Sequence, residues 1–598
     1  MENLCNFGDL SFNIVEDKLS SSNDTFWETK GHNEMKNVQF SVEEDLGDYN
    51  GIESLCSNFG FIEDDPSQED EFLKYHRQHQ QESYQDYENF DNLHFDMVHF
   101  DEQCPTKILP LCDTKKDEPF YQTPLAPVDI LKNYGKGFKR LLPDDEGKIL
   151  HPVNDFGLVT NNENEKKLLS TIEIMKMAGT RFIQSSSSSK SASGLILNHP
   201  FGFSFSGLSD EEKEDVSLAE SLLACAEKVG YQQYERARKL LSQIESLSSK
   251  TGNPVKRVVH YFAEALRQRI DKETGRFSVS SNNMQKMESL FDPEEVSKDL
   301  NPAMIALYED LPFSQVSIFT CVQALLENVN DAKKIHVIDL EIRKGCQWTI
   351  LMQALQSRNE CPLELLKITA IESGNSDTSK HIVEDTGKRL KDFAQSLNIP
   401  FSFDIVIVSD LLNIRADLFK IDSEETVAVY SQFALRSKIQ QPDKLETIMR
   451  VIITINPIVM VVAEIEANHN SKSFVNRFIE ALFYFSAYFD CFETCMKGDE
   501  KNRFILESMY FSHGIRNIVA EEGAERKSRD VKIDVWRAFF TRFGMVETEL
   551  SMKSLYQAEL VAKRFACGYA CTFDMNGHCL LVGWKGTPIN SVSVWKFI

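Results

Sequence analysis

The chain has 598 residues and a formal net charge of −26, and residues 1–106 hold most of that charge because they contain 25 Asp and Glu against 5 Lys and Arg. This length predicts more than one structural unit, and the acidity argues against a uniformly basic nucleic-acid surface. No stretch approaches the roughly 18 apolar residues of a membrane helix, and the acidic start does not resemble a secretion signal. We therefore expect no membrane association, and we expect the 13 cysteines to be reduced core residues.

Residues 1–200 are predicted to form a disordered acidic region, because they are polar, lack a sustained hydrophobic period and include the serine run 185–189. Aromatic residues alternate with the acids of this region: Phe26, Trp27, Phe40, Tyr49, Phe59, Phe61, Phe72, Tyr75, Phe90, Phe95 and Phe100. Such alternation is typical of activation segments that dock on a hydrophobic groove. A tail that only increases solubility is the alternative.

Order is predicted to begin near Ser209, where Ser209 and Glu212 have the spacing of a capping box. A helix ending at Gly230 follows, then a second one ending before Gly252, and a third that begins at Asn253 and Pro254. Their apolar faces form either an intramolecular bundle or a homo- or heterodimer surface. The candidate interaction residues on these faces are Leu218, Leu222, Leu223, Leu240, Leu241 and Ile244. More helices are predicted over 286–330.

The pattern then changes to short apolar strands separated by helices. The predicted strands are 335–339, 366–372, 403–408, 426–431 and 458–464, followed by an antiparallel pair at 566–574 and 578–584 and a terminal strand at 592–597. This order predicts an α/β fold with a helical cap, the cap spanning 209–330 and the core 331–598.

The segment 335–348 has the strand–loop–helix form that opens many cofactor-binding folds. Asp339, Gly345 and, at the end of the next strand, Glu372 are the candidate residues for an adenosyl cofactor. A methyltransferase-like loop reads Asp-x-Gly-x-Gly-x-Gly, but here Glu341 and Arg343 stand at the first two glycine positions. Large charged side chains obstruct the close approach of a ligand to the backbone. We therefore predict no bound cofactor and a structural role for Gly345, with cofactor binding as the alternative.

Other chemical signals are weak. Glu464, Glu466 and His469 follow a strand and could form an acid/base cluster, although a histidine satisfied within a loop is the simpler interpretation. No complete set of metal ligands or catalytic motif is present, so we expect neither a metal site nor an enzyme. A cluster of cations could contact DNA or form a solvated helix face. Its members are Arg516, Arg526, Lys527, Arg529 and Lys532.

Taken together, these segments resemble the GRAS family of plant transcriptional regulators over 209–598. Ile335, His336, Val337, Ile338 and Asp339 stand where the family has its VHIID motif, and Gly345, Gln347 and Trp348 occupy the usual following places. The helices at 210–271 are similar to the first leucine-rich region, and the segment Ile515 to Ala520 to the PFYRE region. The SAW region is represented by Trp536, Gly544, Leu581, Trp584, Ser593 and Trp595. Ser593-Val594-Trp595 replaces the usual Ser-Ala-Trp, and His513 and Gly514 replace an expected Arg-Glu pair.

The resemblance implies a Rossmann-like, methyltransferase-like core under a helical cap and a nuclear regulator that is not an enzyme. It implies partners among transcription factors and other GRAS proteins, including DELLA proteins, with the cap mediating pairing. DNA contact, direct or through partners, is left open. The processes it implies are hormone signalling, root development, and mycorrhizal or nodule symbiosis. The chain has no Asp-Glu-Leu-Leu-Ala stretch, which argues against a gibberellin-degraded DELLA protein.

Overall fold

The structure is a computed structural model that describes residues 169–187, 208–276, 302–358, 361–374 and 377–597. The acidic-aromatic residues predicted to be disordered and the part of the helical prediction over 286–301 lie outside the described residues. Among the described residues, no helix combines the length and the apolar character needed to cross a membrane.

Helices and strands alternate through most of the described chain. The helices are α1 (Thr171–Ser187), α2 (Asp210–Gly230), α3 (Tyr234–Leu247), α4 (Pro254–Thr274), α5 (Pro302–Asp310), α6 (Pro312–Asn328), α7 (Cys346–Gln356), α8 (Asp377–Ser396), α9 (Pro442–Ile455), α10 (Phe474–Cys495), α11 (Glu500–Ile505), α12 (Ser512–Val519), α13 (Ile533–Thr541) and α14 (Met552–Lys563). The strands are β1 (Lys334–Asp339), β2 (Leu365–Ser373), β3 (Phe401–Val408), β4 (Thr426–Gln432), β5 (Val459–Ile465), β6 (Met545–Thr548), β7 (Cys571–Asn576), β8 (Cys579–Trp584) and β9 (Thr587–Phe597).

One nine-stranded sheet organises the molecule, in the order β3-β2-β1-β4-β5-β9-β8-β7, with β6 paired to β9. The strands from β3 to β5 in this order are parallel, whereas β6, β7, β8 and β9 pair antiparallel. The chain leaves β1 toward β2 on one side and later returns to β4 on the other. The carboxyl ends of β1 and β4 therefore flank the point at which the strand order reverses, where α/β folds place their ligands.

The predicted Rossmann-like α/β core is confirmed, and its parallel strands lie within two residues of the expected limits. Buried β-branched runs such as Ile335 to Ile338 explain this agreement. The predicted strand 566–574 begins later, at Cys571, because residues 568–570 form a 3₁₀ turn. Strand β6 was missed because its four residues are too short for a periodic pattern and are held by pairing with β9.

Two apolar layers cover the sheet. On one face, Ile338, Val429, Met460 and Trp595 pack with helices α9 and α13. On the other face lies a larger continuous core that includes α6, α7 and the whole helical cap. The cap joins helices α1 to α4 with α10 and α12, which enter the chain after β5. The cap is therefore built from two distant segments and is anchored on the same core as the sheet.

The candidate interaction leucines lie inside this cap. Leu218, Leu222, Leu223, Leu241 and Ile244 are buried, and Leu240 is half-buried. The capping box of Ser209 and Glu212 and the Asn253 cap are present as predicted. The intramolecular bundle is thus the arrangement that these side chains adopt within the chain, and pairing through the cap stays a prediction.

Helix α1 corrects the predicted boundary of order. It lies inside the range 1–200, yet Ile172, Met175 and Ala178 are buried against α2 and α10. The Thr171 N–H donates to Asp490 Oδ1 at 2.9 Å, which ties the helix start to α10. Order within 1–200 therefore extends to this helix. The sequence did not reveal it because a single short apolar period is stable only when tertiary packing supports it.

A cysteine pair also departs from the prediction. Cys495 at the end of α10 and Cys567 are joined as a disulfide, whereas both were expected to be reduced. Cys491 lies nearby, with its sulfur 3.6 Å from that of Cys495. The four-residue spacing of Cys491 and Cys495 reflects one helical turn, and the partner 72 residues away is set by the fold.

Candidate functional site

The carboxyl end of β1 is a closed polar junction around Asp339, which is fully buried. Its Oδ2 accepts hydrogen bonds from Gln347 Nε2 and Trp348 Nε1, both at 2.9 Å, and its Oδ1 accepts the Glu341 N–H at 3.0 Å. Burial raises the pKa of Asp339 to about 7, although these three donors favour the ionised form. The carboxyl thus ties the strand to the loop and to α7, and the protein itself supplies all three donors.

The loop after β1 is filled by its own side chains. Glu341 and Arg343 form an ion pair of 2.9 Å at the first two of the three positions where a cofactor-binding loop carries glycine. Gly345 has φ +69°, and a Cβ placed on it would lie 2.9 Å from Thr386 Cγ2. Glycine is needed here for the left-handed turn and for close packing against α8, as the sequence predicted.

Glu372, the third cofactor candidate, is also engaged by the protein. Ser379 Oγ donates to its Oε1 at 2.6 Å. The cavity bordered by Glu341 and Glu372 measures only about 80 Å³, whereas pockets for small organic ligands span about 300–1,000 Å³. The residues present therefore do not fit an adenosyl cofactor.

A second, larger cavity of about 700 Å³ lies at the same edge of the sheet. Ser373, Phe433 and Ile465 line it at the ends of β2, β4 and β5, and α10 and α12 contribute its opposite side. This position matches the carboxyl edge at which α/β folds hold ligands. The cavity is thus the candidate functional site of the described chain.

An Asp–His–Arg group forms one wall of this cavity. His469 Nδ1 is 2.7 Å from Asp530 Oδ2, and Arg436 Nε donates to Asp530 Oδ1, also at 2.7 Å. Burial opposes the ionisation of Asp530, but Arg436 and His469 outweigh it and lower the Asp530 pKa to about 2. The ionised carboxylate fixes the orientation of the imidazole, and His469 is one of the residues that line the cavity.

The alternative of an acid/base cluster of Glu464, Glu466 and His469 does not assemble, and His469 is instead a loop histidine held by a protein partner. Glu464 Oε1 accepts the Leu435 N–H at 2.9 Å, and Glu466 Oε2 accepts the Ile533 N–H at 3.0 Å. Burial raises the pKa of Glu464 to about 8 and that of Glu466 to about 7. The partner of His469 is instead Asp530, the one acid among the basic residues 526–532. Sequence spacing carries no signal for a contact across 61 residues.

With this geometry in hand, the comparison with known families is decisive, because a model of the GRAS domain family matches residues 218–596. The chain belongs to the GRAS domain family.

Relatives and a solved structure agree with this assignment. The chain is 33% identical over 390 residues to DELLA protein 2 of Medicago truncatula, covering 65% of this chain and 68% of that protein. It is 30% identical over 391 residues to DELLA protein RGA of Arabidopsis thaliana, covering 65% and 63%. The crystal structure of SCL7 from Oryza sativa aligns with a TM-score of 0.54 and 26% identity, covering 63% of this chain and 99% of that chain. The chain thus spans about two thirds of these DELLA proteins and carries the SCL7 fold.

The residues of the VHIID motif lie in strand β1. In the VHIID strand, Ile335, Val337 and Ile338 are buried, and His336 lies between Glu425 Oε2 and Thr369 Oγ1, each at 2.8 Å. These contacts hold β1 against its neighbours. The strand is the central one of the five parallel strands, between β2 and β4.

The tryptophans of the SAW region are also buried. Trp584 Nε1 donates to Asp490 Oδ2 at 2.6 Å, and Trp595 Nε1 donates to Ser593 Oγ at 2.9 Å. Trp536 is buried as well. Two residues of this region remain. Gly544, with φ +76°, lies between α13 and β6. Leu581 is half-buried and lies on β8. The SAW region therefore closes the core.

The cations at 516–532 do not form a common exposed patch. Arg526 is buried and donates to Asn470 Oδ1 at 3.1 Å, and Arg529 donates to the same oxygen at 3.0 Å. Lys532 pairs with Glu480 at 3.1 Å, and Arg516 lies 2.8 Å from His513 Nδ1. Lys527 is the exposed member of the set. The cluster is thus largely engaged within the fold, which favours neither DNA contact nor a simple solvated helix face.

Proposed function

We propose that this GRAS protein acts in the nucleus as a transcriptional coregulator that binds transcription factors and other GRAS proteins, including DELLA proteins. The observation that carries this proposal is the closed carboxyl end of β1. Asp339 is saturated by protein donors, and the adjoining cavity measures about 80 Å³. A Rossmann-like core in which this position is filled serves better as a scaffold for surfaces than as a methyltransferase.

Pairing through the cap is part of this proposal, as a homodimer or a heterodimer. The leucines first assigned to it are internal, so the pairing surface must use outward residues of the cap. Tyr231 and Leu247 are 48% and 60% exposed there. Large exposed apolar side chains at a partner surface become buried on association.

The transcriptional output is assigned to the acidic-aromatic arm, defined as residues 1–106. Its composition suits docking on a hydrophobic groove of the transcription machinery. The processes in which we place the protein are hormone signalling, root development, and mycorrhizal or nodule symbiosis. The competing functions are direct sequence-specific DNA binding and a methyltransferase-like or small-molecule-sensing activity that would depend on Asp339 and Glu372 at the start of the sheet.

The proposal is tested with a reporter assay in which the whole chain is fused to a heterologous DNA-binding domain. We expect activation that falls when residues 1–106 are removed. A matched variant keeps the length and charge of the arm and replaces by alanine the eleven aromatic residues named above, out of the fifteen that the arm contains. It should lose output to a similar extent. Full output from both variants, with equal protein level and nuclear location, would show that the arm is not an activation segment.

Calorimetry with S-adenosylmethionine tests the alternative of a methyltransferase-like function. We expect no heat of binding, because Asp339 and Glu372 are engaged by protein groups. Micromolar affinity corresponds to about −8 kcal/mol. Such affinity, if abolished in Glu372→Ala, would favour the methyltransferase-like function over the scaffold.

A further inference from the structure

The 700 Å³ cavity at the carboxyl edge of the sheet has the size of a small-molecule pocket. It adjoins the smaller cavity of about 80 Å³ bordered by Glu341 and Glu372, and Arg343, Ser373, Leu411 and Lys438 line both. Its inner wall carries the aromatic side chains Tyr484, Phe485 and Tyr488 of α10. Tyr484 meets the His469 ring edge-on at 5.2 Å, so aromatic surface and a polar group adjoin each other.

Two buried polar side chains that line this cavity, His469 and Asn590, have unmet hydrogen-bonding capacity. Within the described chain, His469 Nε2 and Asn590 Oδ1 have no hydrogen-bond partner, although His469 is only 1% and Asn590 only 2% exposed. Their other polar atoms are used, since His469 Nδ1 bonds Asp530 and Asn590 Nδ2 donates to Ser317 Oγ at 3.3 Å. A buried polar atom without a partner costs about 1–3 kcal/mol. A ligand that supplies a hydrogen bond to these atoms would recover part of that cost.

The charges around the cavity select the sign of the ligand. Three carboxylates line it, and each has a cationic partner: Asp530 pairs with Arg436, and Glu521 and Glu525 pair with Lys272. The cations Lys438 and Lys527 also line the cavity, and neither forms an ion pair with a described carboxylate. The cavity therefore presents an excess of positive charge in a chain whose net charge is −26.

We propose that this cavity binds a small organic anion with an apolar or aromatic body and a hydrogen-bonding group. The body lies against Tyr484 and Phe485, the polar group meets His469 and Asn590, and the anionic group lies near Lys438 and Lys527. This proposal does not rest on the coregulator function, because ligand binding is measured on the purified protein without a transcriptional readout.

The experiment uses the purified full chain and the fluorescent probe 8-anilinonaphthalene-1-sulfonate, which has an aromatic body, an N–H donor and a sulfonate. N-phenyl-1-naphthylamine is its uncharged counterpart. We expect saturable binding of one sulfonate probe per chain and clearly weaker binding of the uncharged probe. Equal affinity for the two probes would overturn the assignment of an anion site.

Charge reversal locates the site. Lys438→Glu together with Lys527→Glu should weaken the sulfonate probe about tenfold or more, because two favourable interactions become repulsive. The matched control is Lys388→Glu together with Lys391→Glu, which makes the same change of charge on the exposed face of α8. The control should bind as the wild type does. Equal loss in both double variants, or loss in neither, would refute the location.

Asn590→Leu tests the inner wall. It removes the unpartnered acceptor together with the hydrogen bond to Ser317 Oγ, and we expect weaker binding of both probes. Urea unfolding of the variant shows whether it is folded under the binding conditions. Unchanged affinity in a folded Asn590→Leu protein would remove Asn590 from the site. If this variant fails to fold, the surface charge reversals still decide the proposal, because neither lysine belongs to the core.

Discussion

Asp339→Asn tests the polar junction at the end of β1. The substitution keeps the size of the side chain but leaves one oxygen to accept where two accept now. If that oxygen serves Gln347 and Trp348, the new amide N–H₂ faces the Glu341 N–H, and the buried donor loses its acceptor. This loss costs about 1–3 kcal/mol at every pH.

The second contribution depends on pH. Burial raises the folded-state pKa of Asp339 to about 7, whereas an aspartate in an unfolded chain titrates near about 3.9. The stabilisation from the bound proton is fully present below about pH 3.9 and is lost as pH rises through the folded pKa. Compared with its value below about pH 3.9, the contribution of Asp339 to the free energy of unfolding of the wild type is lower by about 2 kcal/mol at pH 5.5 and by about 4 kcal/mol at pH 8. These figures follow from about 1.36 kcal/mol per pKa unit. Asparagine does not ionise, so the variant avoids this loss.

Urea unfolding followed by tryptophan fluorescence measures the balance. We expect the free energy of unfolding of Asp339→Asn, relative to wild type, to rise by about 2 kcal/mol between pH 5.5 and pH 8. Other buried carboxyls such as Glu464 and Glu466 are common to both proteins and cancel in the difference. Asp392→Asn makes the same chemical change at an exposed site on α8 and serves as the control. A constant difference for Asp339→Asn across this pH range would refute a raised pKa.

Two other contacts give predictions. Arg257→Met removes the guanidinium that lies 3.1 Å from the carboxyl group of the buried Glu507, and burial raises the pKa of Glu507 to about 7. We expect the free energy of unfolding to fall by about 3–5 kcal/mol at pH 8 and by less at pH 6, where Glu507 is protonated. Urea unfolding at both pH values measures this loss of stability. The double variant Arg257→Met with Glu507→Met should recover much of the loss. A loss that does not depend on pH would contradict the pairing of Arg257 with ionised Glu507. Trp584→Phe should lower stability by about 1–3 kcal/mol more than Trp536→Phe, because Trp584 donates to Asp490 at 2.6 Å while the Trp536 N–H has no partner in the described chain. Thermal unfolding compares them, and equal losses would show that the Asp490 hydrogen bond contributes little.

Much of the core could be predicted because its signals are local. The runs around Val337, Val429 and Val461 are apolar over the length of a strand, and a fully buried parallel sheet requires such runs. The caps at Ser209 and Asn253 likewise depend on residues only three positions apart. The side chains of Glu341 and Arg343 are also local features, and the ion pair between them fills the loop after β1.

The same local patterns could not tell which surfaces an amphipathic helix covers. Leucine spacing at 218–223 is equally suited to a bundle or a dimer, and only the packing of α10 and α12 against the cap decides for the bundle. Helix α1 was missed for the same reason. Its apolar residues are few, and its stability depends on a partner helix some 300 residues later in the chain, as the 319-residue separation of Thr171 and Asp490 illustrates.

By itself, the sequence determined the α/β class, the limits of the parallel strands and the GRAS resemblance, because each depends on residues close together in the chain. The tertiary structure alone decided that Asp339 is enclosed by protein donors, that His469 pairs with Asp530 and that a 700 Å³ cavity lies beside them. These features arise when the ends of separate strands converge with helices inserted after β5. Spacing along the chain contains no information on that convergence, which is set by the packing of the whole domain.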